Sequence, residues 1–194
     1  MKTNHTSVLA VVMLTTSSLM LAADSSSPPP QSMPPMPEAT KEHAWLERFV
    51  GEWEGEAEIT MAPDQPATTS KGTERIRQLG EFWIISEGTG QMPGMGSMAW
   101  LMTVGYDAEK RKYVATWIDS MTGTLWTYDG TVDASGRKLV LEAEGPCPGK
   151  PGVIAKFRDV NEFKSNDERV FTSSMQNEDG SWTTLVKGTY RRKK

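Results

Sequence analysis

From residue 52 to residue 60 the chain alternates without a break, with Trp53, Gly55, Ala57 and Ile59 on one side and Glu52, Glu54, Glu56 and Glu58 on the other. Successive strand side chains point to opposite faces, so this segment predicts a strand with one buried face and one acidic, wetted face. A similar rhythm predicts strands at 71–79, 81–88, 98–106, 112–119, 124–132, 137–144, 153–163, 168–176 and 181–191. Turn chemistry separates them: Asp133-Ala134-Ser135-Gly136 and Glu178-Asp179-Gly180 carry the small and polar residues that hairpin turns use. The segments 62–70, 90–98 and 145–152, rich in Gly, Pro, Met or Thr, read as longer loops. Only the stretch before Gly51 has helical spacing. There Trp45 and Phe49, and likewise Leu46 and Val50, are i,i+4 pairs behind a Thr40 N-cap, and Gly51 stops the turn. A short helix is predicted at 41–49.

Nine or ten strands joined in order by short turns predict an all-β, up-and-down antiparallel meander. Such a sheet removes its edges by closing into a barrel, and a barrel of that strand number is too wide for its own side chains to fill. A pocket is therefore expected. A two-layer sandwich is the competing arrangement.

The chain has 194 residues, enough for one domain with appendages. Residues 1–23 predict a secretory signal peptide, with Lys2 ahead of an apolar run that is too short to span a membrane and small residues Ala22-Ala23 at its end. Residues 24–40 form a Pro/Ser/Met-rich tether, six of the ten residues from Pro28 to Pro37 being proline. The barrel domain is expected at 41–194. Export to the periplasm or beyond the cell follows, with no stable membrane span after cleavage. A net charge of −4 and no clustered basic face argue against nucleic acid. Cys147 is the single cysteine, so no disulfide framework exists, and it reads as a loop residue.

Gly51-Glu52-Trp53-Glu54-Gly55, Gly105-Tyr106-Asp107, Trp117-Ile118-Asp119-Ser120, Gly180 and the closing Tyr190-Arg191-Arg192 resemble, in order and spacing, the bacterial domain-of-unknown-function family 1579. That resemblance covers 43–192 and implies no established activity. More distantly, a helix followed by Gly-x-Trp on a first strand is similar to lipocalins and other calycin barrels. It implies that Trp53 closes the barrel base with Arg191, or its neighbour Arg192, packed over it. The lipocalin disulfides are absent, and the strand count exceeds eight.

Histidine is scarce: only His5 and His43 exist, and His43 is placed on the surface of the leading helix. Axial haem ligation, His/Cys zinc sites and histidine triads are excluded by that scarcity, and no cofactor is expected. A ligand face is predicted instead from aromatic and basic residues within strands: Trp100 and Met102, Tyr113 and Trp117, Trp126 and Tyr128, with Arg75, Arg77 and Arg158 as partners for an anionic head group. A small hydrophobic molecule or lipid is the expected partner. Met92, Met95 and Met98, spaced three apart, offer soft thioethers for copper(I) as an alternative, and Met33 and Met36 repeat the spacing. A scaffold without ligand is a further alternative. Asp107, Asp119 and Asp129 fall near strand ends, where aspartate is ordinary turn chemistry. A binding protein rather than an enzyme is expected, although a raised pKa on a pocket aspartate would reopen the enzyme reading.

Overall fold

The computed structural model describes residues 36–60, 66–92 and 94–194. The signal segment expected at 1–23, most of the tether at 24–40, His5 and Met33 lie outside the described residues. Lys41–Leu46 forms one α-helix, α1, and Glu47–Phe49 tightens it into a 3-10 turn. Ten strands follow: β1 (Gly51–Ile59), β2 (Thr68–Leu79), β3 (Trp83–Met92), β4 (Gly96–Asp107), β5 (Lys112–Asp119), β6 (Trp126–Val132), β7 (Lys138–Pro146), β8 (Ile154–Phe163), β9 (Glu168–Gln176) and β10 (Trp182–Arg192). Each pairs antiparallel with its sequence neighbours, and β1 closes on β10 from Trp53↔Arg192 to Ile59↔Val186. The closed barrel rules out the sandwich.

All three segments expected as loops are partly strand, the third only at Gly145 and Pro146, which end β7. β3 and β4 continue through the Gly/Met stretch to the Met92↔Gly96 pair, which leaves only a hairpin tip. Thr68, Thr69 and Ser70 belong to β2, opposite Ile59, Glu58 and Ala57. Composition marks these segments as irregular, but a free neighbouring edge offers backbone pairing that outweighs weak strand propensity.

The leading helix plugs one end of the barrel. Phe49, Leu46 and Trp53 are buried together with Phe163, and the Phe49 and Phe163 rings meet edge-on at 4.8 Å. Trp53 is fully buried and donates its indole N–H to the Phe49 carbonyl at 2.7 Å. The residue over it is Arg192, not Arg191: the Arg192 guanidinium lies 4.2 Å from the Trp53 ring centroid. It also donates to the carbonyls of Arg48 (2.9 Å) and Val50, and to that of Asn166 (3.0 Å), tying the plug to the β8–β9 turn. Arg191 faces outward and pairs with Glu168 at 3.2 Å on the surface. Parity decides this, because a step of one residue along a strand reverses the face.

His43 is not a surface residue either; it is 5% exposed. A carbonyl can only accept, so Nε2 is the nitrogen that donates to Tyr106 O at 3.0 Å. Nδ1 then accepts the Thr40 backbone N–H at 2.9 Å, where a capping box would place Glu or Gln. Phe82 and Tyr106 meet the imidazole edge-on. His43 fastens the helix to β4.

The opposite end is framed by the turns at 94–95, 120–125, 147–153 and 177–181. Met95, Met121, Leu125, Val153 and Ile154 are exposed around it. No helix among the described residues is long and apolar enough to cross a membrane.

Candidate functional site

Inside the barrel, above the plug, lies a cavity of about 330 Å3. One wall is aromatic and follows from strand parity. Trp100 of β4 lies over β3 where Gly88 and Gly90 leave room; a Cβ on Gly88 would sit 2.1 Å from the indole. Trp117 of β5 stacks on Trp100 with centroids 5.6 Å apart. Trp126 of β6 crosses β7 at Gly145 and reaches Phe157 of β8, the rings meeting edge-on at 4.9 Å. Gly145 thus serves as the gap through which a β6 ring contacts a β8 ring. Met102 and Tyr128 complete this side, with Met92 and Met98 also lining the cavity.

The other wall is polar. Glu74, Asn161 and Arg169 form a network in which Arg169 Nη1 donates to Asn161 Oδ1 at 2.5 Å and Nη2 to Glu74 Oε2. Ser86 donates to the second Glu74 oxygen at 2.5 Å. The Arg169 guanidinium stands 4.3 Å from the centroid of Tyr190, whose phenol is pushed up to about 12 by burial. Asp159 and Ser173 line the cavity beside Tyr128. Burial raises the Asp159 carboxyl from 3.8 to about 6, against the downward pull of the Ser173 and Tyr128 hydroxyls. Asp159 Oδ1 and Arg169 Nε have no hydrogen-bond partner. Burial likewise raises the Tyr128 phenol.

Of the residues expected from sequence, Trp100, Met102, Trp117, Trp126 and Tyr128 share this cavity. Tyr113 does not. It is buried at the plugged end, where its hydroxyl donates to the Glu42 carbonyl at 3.1 Å. Arg75, Arg77 and Arg158 also lie elsewhere, on the outer face. Arg75 is exposed opposite outward Glu52 and Glu87, Arg77 pairs with Glu87 at 4.0 Å, and Arg158 holds Glu142 at 2.7 Å beneath the Trp182 ring. A mid-strand arginine with an acidic cross-strand neighbour stays outside because water already solvates both charges. The expected thioether trio is divided, since Met95 is exposed at the hairpin tip while Met92 and Met98 face the cavity. Met36 is exposed.

Asp107, Asp119 and Asp129 are turn and surface groups: Asp119 Oδ1 accepts the Met121 and Thr122 amides at 2.8 Å, Asp107 accepts that of Lys110, and Asp129 pairs with Lys112. The inward acidic and basic groups, Glu74, Asp159 and Arg169, are absent from the sequence-based set. A signal for two members of the polar wall exists. Phe157 and Phe163 are the aromatic residues of β8, and Asp159 and Asn161 share their parity. Larger concavities, such as one of about 730 Å3 bordered by Glu54, Glu56 and Lys71, are grooves between outward side chains on the sheet face.

The family model described as "Protein of unknown function (DUF1579)" matches residues 38–192. The chain belongs to this family. No curated protein matches the sequence. Among solved structures, the DUF1579 chain is similar to Rv2717c from M. tuberculosis, with 12% identity and a TM-score of 0.58 over 81% of this chain and 100% of that one. It is also similar to the S-type phycobiliprotein lyase CPES from Guillardia theta, with 18% identity and a TM-score of 0.50 over 81% and 99%. At these identities the likeness concerns the fold: a barrel, as in the more distant calycin resemblance.

Proposed function

We propose that this DUF1579 protein is an exported, non-enzymatic barrel that binds a small apolar or amphipathic molecule in its interior. The observation that carries the reading is the cavity of about 330 Å3, lined by the stacked Trp100 and Trp117, by Trp126 and by Met102, with polar groups confined to the facing wall. Ligand sites in general are concave and largely apolar, with few fixed polar groups. A filled barrel would favour a scaffold instead. Export rests on the signal-like composition of 1–23.

Native mass spectrometry of the protein purified from its own exporting host should recover a small molecule bound one to one. Adding that molecule to stripped protein should quench the tryptophan emission, and Trp117→Ala should weaken binding about tenfold or more. Flat emission across a panel of apolar and amphipathic molecules would sink the proposal. Asp159 favours a second reading, acid–base catalysis, because a carboxyl held near 6 is poised for proton transfer near neutral pH. Release of the molecule chemically altered by wild-type protein, and unaltered by Asp159→Asn, would decide for that reading.

A further inference from the structure

The charges lining the cavity differ in how they are satisfied. Arg169, the arginine of that lining, is charge-paired: it has the Glu74 carboxylate, Asn161 Oδ1 at 2.5 Å and the Tyr190 ring at 4.3 Å, with its Nε alone left without a partner. Asp159 enters from β8 and takes part in no ion pair among the described residues, and its Oδ1 has no partner. Its neighbours are neutral: Leu141 on β7, Ser173 on β9 and the Tyr128 hydroxyl on β6. The remaining wall presents the rings of Trp100, Trp117, Trp126 and Phe157.

We propose, building on the cavity-binding role, that the occupant is an apolar molecule carrying a protonated amine, received by Asp159 among the aromatic rings, and that carboxylates are disfavoured. An anion would meet two carboxylates, Glu74 and Asp159, and the inward guanidinium of Arg169 that could receive it is already paired with Glu74. An ammonium supplies the counter-charge that the Asp159 carboxylate lacks, and aromatic faces attract cations. Asp159 acquires its charge as pH rises through about 6, with the Ser173 and Tyr128 hydroxyls beside it and the Glu74–Arg169 pair in the same cavity. Amine binding therefore strengthens across that range.

The test is calorimetric titration of the full chain with three probes that share one ring system: 1-naphthylmethylamine, 1-naphthaleneacetate and 1-ethylnaphthalene. At pH 7.5 the amine should bind at least about tenfold more tightly than the carboxylate, and Asp159→Asn should abolish that preference. Amine affinity should also fall about tenfold between pH 7.5 and pH 5 in the wild type. This second arm decides alone if the variant fails to fold. Binding of 1-ethylnaphthalene with equal or tighter binding of the carboxylate, a preference that survives Asp159→Asn, or a pH-independent amine affinity would overturn the amine assignment and leave cavity binding standing. No binding by any probe would overturn both.

Discussion

Arg191 and Arg192 are adjacent and chemically identical, yet they do different work. Arg192 donates to three backbone carbonyls and covers the Trp53 ring, whereas Arg191 makes one surface ion pair. Hydrogen bonds from a charged donor contribute about 1.5–3 kcal/mol, while exposed ion pairs contribute about 0–1 kcal/mol. Arg192→Ala should therefore cost about 2–3 kcal/mol in urea unfolding, and Arg191→Ala about 0.5 kcal/mol or less; equal losses would refute the assignment. Asp159 makes the opposite kind of contribution. Its folded-state pKa of about 6 lies above its ordinary 3.8, so the native state holds the proton more tightly than the unfolded chain. The stability it confers is full below about pH 4 and is lost as pH rises through about 6, a change on the order of 3 kcal/mol. Asp159→Asn should accordingly gain stability relative to wild type between pH 4 and pH 7 in denaturant melts. A constant difference across that range would count against a buried, unpaired carboxyl.

At the scale of elements, the strands are shaped by where side chains are missing as much as by where they are large. β7 contributes Gly145 at the place where Trp126 must cross to Phe157, and a Cβ there would lie 2.2 Å from the indole. Overpacking of this kind typically costs about 1–3 kcal/mol. Gly145→Ala should lower the unfolding midpoint and alter the near-ultraviolet tryptophan signal. Gly123→Ala, in the β5–β6 connection with open space around it, should change neither. The β3–β4 hairpin shows the limit of reading elements from composition. Its Gly and Met content reads as a loop, but both arms are hydrogen-bonded strand almost to the tip. Helix α1 shows the same limit in reverse. Its start is legible, but the burial of His43 depends on the Tyr106 carbonyl, sixty-three positions away in the chain.

For the whole molecule, the alternation along the chain determined the strand count, the meander and the helix ahead of Gly51-Glu52-Trp53, because periodicity is a local property that one strand states by itself. It also placed Trp100, Met102, Trp117, Trp126 and Tyr128 on a common face, since large apolar residues of one parity are driven to one side of a sheet. Tertiary structure alone decided closure of β1 on β10, which joins residues 186–192 to residues 53–59. It also decided the polar wall. Charged residues are allowed on either face locally, and only the three-dimensional partner tells an arginine that meets Glu87 or Glu142 in water from one that meets Glu74 in the interior. Asp159 is the extreme case: its alternation with Phe157 and Phe163 pointed inward, but its want of a partner exists only once ten strands have closed around it.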